Sequence, residues 1–106
     1  MNAILVLSTV DSADLGQQIS ASLVESGLAA CVSIIPNIRS VYRWKGKVCD
    51  EGEWLLVIKT TSELFEAVRE RIRQLHTYQV PEILAIPVSS GDADYLAWLG
   101  EQIRQS

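Results

Sequence analysis

The sequence predicts an α+β fold: an antiparallel sheet of four strands with two helices on one face, a long β-hairpin and an extra C-terminal helix. Three observations carry this expectation. Strand-like and helix-like segments follow one another in the order βαββαβ, with one more helical stretch behind them. Two of the strand segments, Ala3 to Thr9 and Glu53 to Thr60, are dense aliphatic and β-branched runs, the pattern of strands covered on both faces at a sheet centre. The stretch from Leu28 to Gly46, LAACVSIIPNIRSVYRWKG, reads as one very long strand with a single proline halfway.

After the first strand, Asp11 or Ser12 offers a helix N-cap, and Leu15, Ile19 and Leu23 recur every four residues with Ser22 on the same face. Gly27 stands where a left-handed residue ends a helix. The second strand starts at Ala29, and Pro36-Asn37 within it predicts a bulge or bend on an edge. Lys45-Gly46-Lys47 is a turn, and the chain returns through Val48 to Gly52 into the third strand, closing a long hairpin. Ser62 is the expected cap of a second helix, with Leu64, Phe65, Val68, Ile72 and Leu75 as its apolar stripe. Glu63, Glu66, Arg69, Glu70, Arg71 and Arg73 are its water-facing residues, acidic first and basic last as the helix dipole prefers. Ile83 to Val88 is a fourth strand, and Gly91-Asp92 begins a last helix with Tyr95, Leu96, Leu99 and Ile103 on one side. This order is the split βαβ, or ferredoxin-like, arrangement, and right-handed crossovers place the first and third strands in the centre.

The long strand carries the first statement about function. At about 3.3 Å per residue, Ala29 to Trp44 would reach roughly 50 Å. A compact domain of this length has a radius of gyration near 13 Å and is only about 33 Å across. The strand therefore overhangs its own domain, and its unpaired backbone groups call for another copy of the chain.

Bulk properties narrow the class. With 106 residues, 48% hydrophobic and 21% charged, residues 1–106 form one globular domain able to bury a core. The net charge is -4 and the nine Lys and Arg are spread along the chain, which argues against nucleic acid as ligand. Met1 is followed by the apolar run Ala3 to Leu7 without a basic n-region or cleavage site, and no apolar stretch reaches membrane-spanning length. Cys31 and Cys49 are the two cysteines, too few for a disulfide framework, so a cytoplasmic protein is expected. No Gly-rich phosphate loop, HExxH helix or G-x-S-x-G elbow is present, and a cysteine and a histidine without an orienting third residue do not make an enzyme.

Four blocks in order, GLAACVSIIP, SVYRWKGKV, EWLLVIKTTSELFEAVRERIRQLHTYQVPEILAIPV and DYLAWL, resemble the CutA family of divalent-cation tolerance proteins over about residues 3 to 103. The resemblance implies a ferredoxin-like homotrimer whose hairpin arms pair across subunits, in a cytoplasmic protein linked to tolerance of copper and other divalent metals. Where the family usually reads HPYEVPE, this chain has His76-Thr77-Tyr78-Gln79-Val80-Pro81-Glu82, losing a proline and exchanging a carboxylate for Gln79.

Candidate site residues follow from side-chain chemistry and from this resemblance. His76 is the only histidine, a ligand type suited to copper, nickel or zinc, or a residue satisfying carbonyls at a helix end. Cys31 offers a thiolate for a soft metal such as cuprous copper, or a small core side chain. Cys49 beside Asp50 and Glu51 is a weaker cluster near the hairpin tip. The resemblance places Trp44, Lys59, Tyr78 and Glu82 near an inter-subunit cleft, where they are a suitable lining for a small polar ligand. Their structural alternatives are trimer packing for Trp44 and an ion pair of Lys59 with Glu82, while Glu53, Asp50 and Glu51 read as solvated charges. The leading expectation is a homotrimer binding divalent metal, copper foremost, through Cys31 and His76. Its alternatives are a small-molecule signalling module like the trimeric PII proteins, using Trp44, Lys59, Tyr78 and Glu82, and a structural trimer without direct metal binding.

Overall fold

The computed structural model describes residues 2–103. Strands β1 (Ala3–Val10), β2 (Cys31–Trp44), β3 (Lys47–Thr61) and β4 (Leu84–Pro87) form one antiparallel sheet in the order β2-β3-β1-β4. The two apolar runs, β1 and β3, do occupy the centre. Helices α1 (Ala13–Glu25) and α2 (Phe65–Leu75) pack on one face of it, and α3 (Ala93–Gln102) closes the described chain. Between sheet and helices, Val6 and Val10 of β1, Leu56 and Ile58 of β3, Ile19 and Leu23 of α1, and Val68 and Ile72 of α2 are fully buried in one cluster.

Local chemistry explains both ends of α1. Leu15 N–H donates to Ser12 Oγ at 3.1 Å, satisfying one of the four orphan donors of the first turn. Gly27, at φ 74°, lets Leu28 N–H reach Leu23 O (2.9 Å) and Gly27 N–H reach Val24 O (3.1 Å), the paired bonds of a Schellman ending. The expected Ser62 cap of α2 does not form. Residues Ser62–Leu64 make a 3-10 turn instead, Ser62 Oγ bonds Glu63, and the Phe65 amide is taken by Ser62 O. Arg71 also departs from expectation: its Nη1 donates to Ser22 Oγ at 2.7 Å, tying α2 to α1. On α3, Asp92 caps as anticipated, Leu99 and Ile103 bury against Ala30, and Tyr95 stays 44% exposed beside Trp98. The fourth strand is shorter than its apolar run, ending at Pro87, which has no N–H for the ladder.

β2 and β3 form the long hairpin, joined by Lys45 and Gly46, both at positive φ as a tight two-residue turn requires. β1 accompanies β3 only as far as the Val10–Trp54 pair, so among the described residues Lys47 to Glu53 of β3 pair with β2 alone. The ribbon thus projects beyond the domain, and the longest dimension is 44 Å.

A bulge in this ribbon decides which side chains share a face. Ile35 lies opposite Leu55 but Ile38 lies opposite Glu53, so β2 carries one extra residue at Pro36-Asn37, with Asn37 at φ 62°. Directly opposed residues share a face of the sheet. The bulge therefore switches β2 from odd positions (Cys31, Ser33, Ile35) to even ones (Ile38, Ser40, Tyr42, Trp44) on the face that holds Glu53.

Candidate functional site

A cleft of about 670 Å³ opens where the projecting hairpin meets the end of β1 and the segment after α2. Its walls are Tyr42 and Trp44 from β2, Glu53 from β3, Thr9 from β1, and Tyr78 and Glu82 from the segment between α2 and β4. The hairpin wall exists because of the bulge, since strict alternation would turn Tyr42 and Trp44 away from Glu53.

The opposite wall hangs on His76. Its Nε2 donates to Thr9 O at 2.7 Å, while its Nδ1 accepts the Tyr78 amide at 3.1 Å. Both ring nitrogens are thus occupied by backbone groups, one from β1 and one from the segment after α2. The His76 and Tyr78 rings lie 4.5 Å apart. Held this way, Tyr78 donates its hydroxyl to Glu53 Oε2 at 2.5 Å. Burial, then the bond to this carboxylate, push the Tyr78 phenol well above its ordinary range. Tyr42 likewise donates to Glu51 and is pushed up to about 12, chiefly by that hydrogen bond. Both phenols thus stay neutral donors near pH 7.

Glu53 is the unexpected member. Read as a solvated charge, it is only 6% exposed, because the Tyr78 segment closes over it. Among the described residues its one hydrogen-bond donor is the Tyr78 hydroxyl, and no cation pairs with it. The nearby cation on the ribbon, Arg39, is engaged with Asp50 at 2.8 Å. Alternation along EWLLVIKT places Glu53 with Leu55, Val57 and Lys59, which is a signal for its face but not for its cover. Tyr42 was also missed, although Tyr42-x-Trp44 at period two is the mark of two rings on one face of a strand.

Three of the four residues expected to line a ligand cleft, Trp44, Tyr78 and Glu82, come together here. Lys59 does not. It faces Cys31 across β2 and β3, with its Nζ 2.5 Å from Ser33 Oγ and 3.6 Å from Cys31 Sγ. That is six residues along β3 from Glu53, or about 20 Å. The alternative Lys59–Glu82 ion pair is not formed among the described residues.

The two expected metal ligands stand apart within one chain. Cys31 is half-buried beside the Lys59 ammonium, and both His76 ring nitrogens are engaged by backbone groups. Lys59 pairs with Leu5 on β1, four residues from Thr9, the carbonyl that holds His76, which is about 13 Å along the strand. No group of three or more His, Cys, Asp or Glu able to hold a metal ion occurs among the described residues. These side chains in a single chain therefore do not fit a divalent-metal site.

The family model described as CutA1 divalent ion tolerance protein matches residues 4–102. The divalent-cation tolerance protein CutA of Thermus thermophilus is 47% identical over 97 residues, which cover 92% of this chain and 94% of the relative. The chloroplastic CutA of Arabidopsis thaliana is 43% identical over 102 residues, 96% of this chain but 56% of the longer plant protein. Among solved structures, CutA1 from Oryza sativa superposes with a TM-score of 0.97 at 42% identity, covering 100% of this chain and 97% of that one. The Thermus thermophilus protein gives 0.93 at 45% identity over 96% and 99% of the two chains. Sheet order, hairpin and both walls of the cleft all fall inside the matched span, and the chain belongs to the CutA1 divalent ion tolerance family.

Proposed function

We propose that this chain serves divalent-cation tolerance as a cytoplasmic homotrimer that binds a small molecule in the hairpin cleft, its response to metal being indirect. The carrying observation is the cleft itself. Three aromatic rings and two carboxylates from three separate segments converge on about 670 Å³, a volume ordinary for small-molecule sites. Two features support the trimer. Among the described residues β2 has no neighbour on its outer edge, and the sheet face away from the helices leaves Ile35, Leu84 and Ile86 43%, 57% and 45% exposed. Sister chains that covered this face would also wall in the cleft from outside.

A second reading, favoured by the family's description as divalent ion tolerance proteins, is direct copper binding between subunits through Cys31 and His76. Light scattering and calorimetry separate the possibilities. The expected result is a particle of three times the 11.7 kDa chain mass, and equal copper titrations for wild type, Cys31→Ala and His76→Ala. A mass of one chain refutes the module. Selective loss of copper binding in either variant establishes the second reading instead. If neither metals nor metabolites shift the melting temperature of a trimer, the assembly is structural only.

A further inference from the structure

Glu53 poses a physical problem that the chain alone leaves open. A carboxylate that is only 6% exposed normally has a counter-charge or several donors, since isolated buried charge is costly. Here Oε2 has the Tyr78 hydroxyl, and Oε1 accepts no hydrogen bond from the described residues. The second carboxylate of the cleft, Glu82, is in no ion pair among them either. Arg39, the one cation among the lining residues, has its Nε on Asp50, and by strand pairing this pair lies on the opposite face of the ribbon from Tyr42 and Glu53. The cleft thus carries two carboxylates without a counter-charge, with Glu53 Oε1 open to the cleft at its floor and the rings of Trp44, Tyr42 and Tyr78 around it.

From this geometry we infer that the ligand is a small organic cation, a primary or secondary ammonium whose N–H groups go to Glu53 and whose alkyl or aryl body lies on Trp44 and Tyr42. This deepens, and rests on, the reading of the cleft as a small-molecule site. An ammonium supplies the donors that Oε1 lacks and the charge that Glu53 requires. Aromatic faces attract cations and shed water from the ligand's apolar part. A bare divalent ion fits less well, because the described residues hold no cluster of three ligating groups. An anionic metabolite would face Glu53 and Glu82, and the one basic lining residue, Arg39, has its Nε on Asp50.

The test uses three probes of one shape and different charge: 4-phenylbutylammonium, 4-phenylbutanol and 4-phenylbutyrate, titrated calorimetrically into the full-length assembled protein. Expected are binding of the ammonium alone and a loss of at least about tenfold in Glu53→Gln, with helicity and particle mass unchanged. Trp44→Ala should weaken the same probe, which locates it in the cleft. Binding of the alcohol or the carboxylate that Trp44→Ala abolishes and Glu53→Gln spares overturns the cation assignment but keeps the small-molecule reading. Silence from all three probes, together with altered particle mass in Glu53→Gln, overturns the assignment too. In that case the missing counter-charge is a Lys or Arg of a second copy of the chain.

Discussion

The bond between Tyr78 and Glu53 should show a large and unequal pair of mutational effects. Tyr78→Phe keeps the ring beside His76 and removes one oxygen, so the packing change is minimal. It leaves a carboxylate that is 6% exposed without its only donor among the described residues. A hydrogen bond to a charged group contributes about 1.5–3 kcal/mol, and the stranded acceptor keeps its desolvation cost, so about 2–3 kcal/mol of destabilisation is expected. Glu53→Gln should behave differently: it retains an acceptor for the hydroxyl and removes a buried charge that lacks a counter-ion. Its expected effect on the ligand-free protein lies between a loss below about 1 kcal/mol and a small gain, as when buried ions give way to neutral groups. In the Glu53→Gln background, Tyr78→Phe should cost only about 1 kcal/mol, the worth of an ordinary neutral bond, which leaves a coupling of about 1–2 kcal/mol. Urea unfolding at one fixed protomer concentration, with all four proteins, measures the cycle. If Tyr78→Phe costs the same in both backgrounds, the hydroxyl does not serve the carboxylate and the argument for an unbalanced charge in the cleft fails.

Asn37→Val opposes the positive φ of 62° that the bulge needs, and strict alternation along the same residues should turn Tyr42 and Trp44 to the far face of the ribbon from Glu53. Far-UV dichroism is expected to stay close to wild type while cleft binding disappears; retained binding would show that the bulge does not orient the site. Alkaline titration provides a further check. Folding raises the Tyr42 and Tyr78 phenols above their ordinary value of 10.0, so above that pH the unfolded chain releases protons that the folded one still holds. The stability they contribute is complete below about pH 10 and declines as pH rises through the folded-state values. Urea midpoints followed between neutral pH and about pH 11 should therefore fall more steeply for wild type than for Tyr78→Phe. Parallel curves would remove Tyr78 from the account.

Much of the architecture was legible in the chain because its causes lie within a few residues of one another. Ser12 caps α1 through a bond three residues long, Gly27 ends it with a positive φ, and Pro36-Asn37 makes the bulge where it stands. The apolar density of β1 and β3 called for central strands, and a covered sheet centre is where they lie. The site was legible only in part. Family resemblance pointed to Trp44, Tyr78 and Glu82, which line the cleft, whereas Glu53 reads in the sequence as one of several surface acids beside Asp50 and Glu51.

Element order, central strands, both ends of α1 and the projecting ribbon follow from the sequence itself, because backbone sterics and apolar periodicity act locally and repeat. Tertiary structure alone decided that Glu53 is covered and Lys59 belongs elsewhere, and that His76 spends both nitrogens on the backbone. Those outcomes depend on contacts between residues 25 and 67 positions apart, Tyr78 with Glu53 and His76 with Thr9. Whether a side chain keeps its water is set by what the rest of the chain lays over it, and no short window of sequence contains that information.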